Sequence, residues 1–152
     1  MGLASGNFLL HDLTNNASQT ISGIHMSNDP VMGIAFWGDR ILSVSGSGKL
    51  VSWTDPNDRK EIKDFGEQVT HFSFQPGPGT LLKLAVATFR GTVAVLDYNP
   101  PVAGDAGSIN ELSFATPGQR PVIADCGMTN IGDTQLVYAA TGKGQLRVYA
   151  VN

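Results

Sequence analysis

Apolar and polar residues alternate along most of this 152-residue chain in short runs. The clearest are Val31-Met32-Gly33-Ile34-Ala35-Phe36, Ile41-Leu42-Ser43-Val44, Val69-Thr70-His71-Phe72-Ser73-Phe74 and Leu82-Lys83-Leu84-Ala85-Val86-Ala87. Val122-Ile123-Ala124-Asp125-Cys126 and Gln135-Leu136-Val137-Tyr138-Ala139-Ala140 follow the same habit. Each run is rich in β-branched or aromatic residues and is bounded by Gly, Pro, Asn or Asp, which is how short strands read in a sequence. No window carries a sustained helical period. The pattern predicts an all-β chain of about thirteen short antiparallel strands.

A second regularity lies on top of the alternation. Four segments start at a glycine, run through alternating apolar positions and reach a large side chain, often followed by Asp. They are Gly6-Asn7-Phe8-Leu9-Leu10-His11-Asp12, Gly48-Lys49-Leu50-Val51-Ser52-Trp53-Thr54, Gly91-Thr92-Val93-Ala94-Val95-Leu96-Asp97 and Gly144-Gln145-Leu146-Arg147-Val148-Tyr149-Ala150. The glycines are 42, 43 and 53 residues apart. A period of about 40–45 residues made only of strands is a propeller signature. The longer third interval holds an insertion of about ten residues, placed by composition at Pro100–Gly107. With Pro100-Pro101 and small residues, Asn99–Gly107 reads as a mobile linker.

On these residues the chain resembles WD-repeat β-propellers, in which each repeat supplies the outer strand d of one blade and strands a, b and c of the next. Phe36 followed by Trp37-Gly38-Asp39, and Phe74 followed by Gln75-Pro76-Gly77, resemble the family's turn between strands a and b. His25 with Asp29-Pro30-Val31 resembles its Gly-His approach to strand a, with Ile24 in place of the glycine. Of the closing Trp-Asp pair, Asp12 and Asp97 keep the acid and Trp53 keeps the tryptophan. The b–c turns, where the family carries an Asp, hold Ser47, Arg90 and Lys143. The resemblance implies an all-β partial propeller over residues 1–152, with a blade remnant at 1–16 and repeats at about 17–57, 58–100 and 101–152. The blades expected are three complete four-stranded ones plus one extra strand at residues 7–13. The family's usual ring of seven does not close on 152 residues, and an unpaired strand edge invites pairing. A companion propeller chain or self-association is therefore expected to cover the open edges.

A narrower resemblance runs through the order of features. His11-Asp12-Leu13, His25, Asp29-Pro30-Val31, the Trp-lacking repeat at Ala87-Thr88-Phe89-Arg90-Gly91 and the enlarged repeat ending Gly144-Gln145-Leu146-Arg147-Val148-Tyr149 are similar to the middle blades of one subfamily. That subfamily contains the nuclear-pore mRNA-export propeller and its spindle-checkpoint relative, and it grips short glutamate-bearing segments of its partners.

Composition narrows the chemistry. Hydrophobic residues make up 41% and charged residues 15%, against a usual charged share of about 25%, so the chain buries a core. A net charge of −3 argues against direct nucleic-acid binding, which rests on many Lys and Arg contacts with phosphate. Cys126 has no second cysteine to pair with and, inside an apolar strand, reads as a small buried hydrophobe. No apolar run approaches the ~20 residues of a membrane span and no cationic, apolar leader opens the chain. An intracellular protein, cytoplasmic or nuclear, is expected.

Catalytic signals are poor. There is no G-x-S-x-G, H-E-x-x-H or paired-Cys motif, and Val31, Val69 and Val122 stand at the starts of the inner strands where a propeller hydrolase would place carboxylates or histidines. His11, His25 and His71 fall in different repeats, whereas a zinc site needs three or four convergent ligands. Gly46-Ser47-Gly48-Lys49 and Gly142-Lys143-Gly144 lie between strands and read as β-turns, not phosphate loops. No enzyme activity, cofactor or metal is expected.

What remains is a protein-interaction scaffold presenting its blade loops. Arg90 and Lys143 in b–c turns, with Arg120 in a d–a loop, would form a basic cluster suited to an acidic peptide segment. Trp37 is a fourth candidate, as a partly exposed tryptophan of the kind enriched at interfaces. The other readings are a purely structural subunit of a larger assembly and, more remotely, a propeller hydrolase.

Overall fold

Alternation becomes antiparallel strand throughout a computed structural model of the chain, which describes residues 1–77, 79–98, 109–113 (backbone only) and 122–151. Thirteen strands are present among these residues, with one 3-10 turn at Pro56–Asp58 and no α-helix. They form two compact units, Met1–Gly66 and Glu67–Asn152.

In the first unit β1 (Phe8–Asp12) pairs with β2 (Ala17–Ile21). A second sheet runs β3 (Val31–Trp37), β4 (Arg40–Ser45), β5 (Lys49–Trp53) and β6 (Lys60–Asp64) in order. In the second unit β7 (Val69–Pro76), β8 (Leu82–Thr88), β9 (Thr92–Tyr98) and β10 (Ile109–Ser113) make a four-stranded meander. β11 (Ile123–Ile131), β12 (Thr134–Thr141) and β13 (Leu146–Val151) make a three-stranded one.

This grouping corrects the expected count of three complete blades plus one strand. The described strands form two four-stranded sheets, one of three and one of two. The reason is the offset between repeat and sheet. The outer strand of each repeat, β2, β6 or β10, bonds to the third strand of the preceding repeat, so the strand at residues 7–13 gains a partner and the last sheet has three strands among the described residues. Pro100–Gly107, with the rest of the predicted insertion, lies outside the described residues.

The repeat is also written into the backbone. Each inner strand carries a register shift at its second residue, between Val31 and Gly33, Val69 and His71, and Ile123 and Asp125. Such bulges bend a strand and turn the side chains that follow.

Burial follows the alternation. In the first unit Phe8, Ile24, Val51 and Trp53 are buried together, with the Phe8 and Trp53 ring centroids 4.8 Å apart. Burying an aromatic side chain of this size is worth about 1.5–3 kcal/mol. In the second unit Ala85, Ala87, Val93 and Val95 pack against Ile123, Cys126, Val137 and Ala139. These small residues let the two sheets of that unit approach closely.

Candidate functional site

Three turns built on one plan join the second and third strands of their sheets. They are Ser45-Gly46-Ser47-Gly48, Thr88-Phe89-Arg90-Gly91 and Thr141-Gly142-Lys143-Gly144. In each, the glycine N–H donates to the carbonyl of the first residue, at 3.0, 3.1 and 3.0 Å. The first residue's hydroxyl accepts from the N–H just after the glycine, at 3.3, 3.3 and 3.2 Å. The glycines have φ of +102°, +84° and +77°, a region that residues with a Cβ rarely enter. The second residue's N–H donates to a carbonyl just before the inner strand: Gly46 to Pro30, Phe89 to Gln68 and Gly142 to Val122.

Ser45, Thr88 and Thr141 are buried, so the frame is fixed; the third residue, Ser47, Arg90 or Lys143, is exposed in each turn, whereas a Cβ at Gly46 would meet the Pro30 ring at 2.8 Å. Leu3-Ala4-Ser5-Gly6 repeats the backbone of this turn, with Gly6 at φ +81° and its N–H on the Leu3 carbonyl, but without the hydroxyl.

Acids brace two of the turns from outside. Asp29 accepts from the Ser47 N–H at 2.8 Å and from the Ser47 hydroxyl at 2.6 Å. Burial by itself would raise the Asp29 carboxyl, but donation by the Ser47 and Ser45 hydroxyls and the Ser47 N–H outweighs it and holds the group below its ordinary value. Glu67 accepts from the Arg90 N–H at 3.3 Å and stands 3.8 Å from Arg90 Nε. In both repeats the bracing acid sits two residues ahead of the inner strand.

Behind the first turn runs a buried polar chain. Trp53 Nε1 donates to Ser43 Oγ at 3.0 Å, and Ser43 Oγ meets His25 Nε2 at 2.9 Å. The Ser43 hydroxyl oxygen thus accepts from the indole and hydrogen-bonds the imidazole at Nε2. Nδ1 is buried without a partner among the described residues. Burial pushes His25 down to about 4, against a smaller opposing pull from Asp29.

The candidate residues separate as follows. Arg90 (side chain 64% exposed) and the exposed Lys143 occupy equivalent tips of two turns in the second unit. Their sheets share one core. His71 Nε2, 2.9 Å from Asp125 Oδ1, joins the inner strands β7 and β11 near the same end. Arg90 is matched locally by Glu67, so its charge is partly offset. Phe89, 52% exposed beside Arg90, and Val122, 40% exposed beside Gly142, add apolar surface. Arg120 lies outside the described residues. Trp37 closes β3 opposite Arg40, half-buried, with the turn made by Gly38-Asp39. It stands at the other end of its sheet from the Ser45–Gly48 turn.

Val122 also changes place: it precedes β11 and matches Pro30 and Gln68, so Ile123 is the counterpart of Val31 and Val69. The bulge then brings His71 and Asp125 into equivalent positions that alternation alone assigns wrongly. Cys126 is buried, and burial pushes its thiol up to about 12, which keeps it protonated at neutral pH. Among the described residues no three His, Cys, Asp or Glu side chains converge as a metal site would require. No helix among them is long and apolar enough to cross a membrane.

No protein-family model matches the sequence, and no curated protein matches it. Solved structures do. The chain is similar over 99% of its length to the Cps50 (Swd1) β-propeller domain of Myceliophteria thermophila, at 19% identity and a TM-score of 0.67 over 47% of that domain. It is similar over 96% of its length to BBS1N, solved in complex with ARL6DN, at 18% identity and 0.61 over 44% of that chain. The WD40 domain of SCAP from fission yeast aligns over 97% of this chain and 35% of its own, at 13% identity and 0.54. These likenesses show a β-propeller fold. The chain spans less than half the length of each.

Proposed function

We propose that this chain is a protein-interaction scaffold that presents its recognition residues on turns between second and third strands. One observation carries the reading: three turns share a buried hydroxyl-and-glycine frame while their tips read Gly-Ser, Phe-Arg and Gly-Lys. A constant frame with variable tips is the arrangement of loops that carry function on a rigid support. No catalytic step, cofactor or metal belongs to the proposal.

The finer reading places the partner on the second unit. Phe89, Arg90, Val122 and Lys143 together offer two cations beside exposed apolar surface. Such a rim suits a short segment bearing glutamate next to an apolar residue, with Arg supplying bidentate carboxylate contacts and the charges steering encounter. The narrower sequence resemblance supports an adaptor of the nuclear-pore mRNA-export or checkpoint kind. That BBS1N was solved with a protein partner is consistent with a scaffold role on this fold.

The test is a selection of short glutamate-rich peptides on the native chain, followed by affinity measurements on Arg90→Glu/Lys143→Glu. Both side chains project from exposed turns, so the fold is retained. We expect the selected peptides to lose about tenfold or more in affinity, the scale of one or two charge-assisted contacts, and their salt dependence to flatten. Equal binding by the reversed variant overturns the acidic-segment reading.

A further inference from the structure

Inside the two cations of the second unit stands a charge of opposite sign. The first residue beyond the bulge is His71 in β7 and Asp125 in β11, opposite Ala87 and Ala140. Those alanines immediately precede Thr88 and Thr141, which open the turns bearing Arg90 and Lys143. His71 and Asp125 therefore lie one step inside the tips, on adjoining strands, and their side chains meet at 2.9 Å. Asp125 is only half spent in this contact. Its Oδ1 accepts from His71 Nε2, since a carboxylate has no proton to give. Its other oxygen has no partner among the described residues, and the side chain is 51% exposed. Glu67 differs: it is 16% exposed and already engages Arg90. In β3 the corresponding residue is Gly33, so the first unit carries no charge at this place.

We propose that Asp125 selects a basic residue in the bound segment, set between glutamates that reach Arg90 and Lys143; this rests on the acidic-segment reading above. Charge complementarity carries the argument. A segment bearing glutamates alone would bring its carboxylates towards Asp125, and like charges brought together at an interface are penalised. A Lys or Arg at that place removes the repulsion and donates a charge-assisted bond to the open oxygen. In an extended segment, alternate side chains point to the same side. The pattern that fits is therefore Glu-x-Lys-x-Glu, with the outer acids on the two cations and the inner cation on Asp125.

Titration calorimetry of the full chain tests this with two probes, acetyl-Glu-Val-Lys-Val-Glu-amide and the same peptide with Gln in place of Lys. The Lys peptide is expected to bind about fivefold more tightly, the scale of an exposed ion pair. Asp125→Asn, a change of charge without change of shape at an exposed position, should erase that preference and leave the Gln peptide bound at least as well as before. Equal affinity of the native chain for the two peptides overturns the proposal. So does an Asp125→Asn variant that weakens both peptides alike, because the residue then acts only through the fold. In those two outcomes binding still depends on Arg90 and Lys143. If Arg90→Glu/Lys143→Glu binds both peptides as the native chain does, or the native chain binds neither, the acidic-segment reading falls and takes this proposal with it.

Discussion

The two four-stranded sheets solve one problem with different chemistry. Ser43 in β4 and Val86 in β8 stand at the same place, two residues before the hydroxyl that frames the turn. Trp53 in β5 and Leu96 in β9 both stand five residues after the turn glycine. All four side chains are fully buried. The first sheet fills the position with an indole, a hydroxyl and an imidazole bonded in series; the second fills it with aliphatic carbon. Both carry the same turn. The repeat therefore keeps the frame that sets the loop over two interiors of different chemistry.

The comparison breaks most visibly at Trp53. Trp53→Ala removes the largest side chain of the first core and strands Ser43 and His25, and is expected to cost about 4 kcal/mol, read as a lower urea midpoint by circular dichroism. Ser43→Ala should cost about 2 kcal/mol, since it leaves the Trp53 N–H and His25 Nε2 buried without a partner. The mirror change Val86→Ser should destabilise to a similar degree by burying a hydroxyl among aliphatic neighbours. If Val86→Ser were neutral, the two interiors would not be distinct solutions.

Acidity sharpens the contrast further. His25 is held near 4 in the folded chain against an ordinary 6.5, so the unfolded chain takes up a proton first and stability falls as pH drops from 6.5 through 4. The Tm of the chain at pH 5 should lie about 5 °C below its value at pH 7. In His25→Gln this slope should flatten. The smallest effects belong to the frame and the tips. Thr141→Ala should cost about 1 kcal/mol by removing the acceptor for the Gln145 N–H, whereas Arg90→Glu, at an exposed tip, should stay within about 0.5 kcal/mol of the native chain in thermal unfolding.

The alternation and the glycine period were enough to read ten of the strands, but Ala17–Ile21, Lys60–Asp64 and Ile109–Ser113 are short and polar and show no apolar run. The sheet count was not legible in that way: whether Ala17–Ile21 closes its own repeat or the preceding one depends on pairing across a turn. The turn frame left a signal that spacing could have found, a Ser or Thr three residues before Gly48, Gly91 and Gly144. Asp29 and Glu67 stand equally regularly, two residues ahead of Val31 and Val69. His71 and Asp125 were hidden for a different reason. A bulge adds a residue on one strand alone, so simple alternation puts them on the wrong side. The chain from Trp53 to His25 joins residues far apart in sequence, and no local pattern announces it.

The claim that a constant frame presents a variable recognition surface is tested most directly by amide chemical-shift mapping of the native chain with a peptide selected for glutamate. The account predicts saturable shifts at Phe89, Arg90, Gly142 and Lys143, with the amides of Lys49 and Trp37 unmoved. Shifts centred on the Trp37–Arg40 turn, or no saturable shift at the Thr88–Gly91 and Thr141–Gly144 turns, would contradict it.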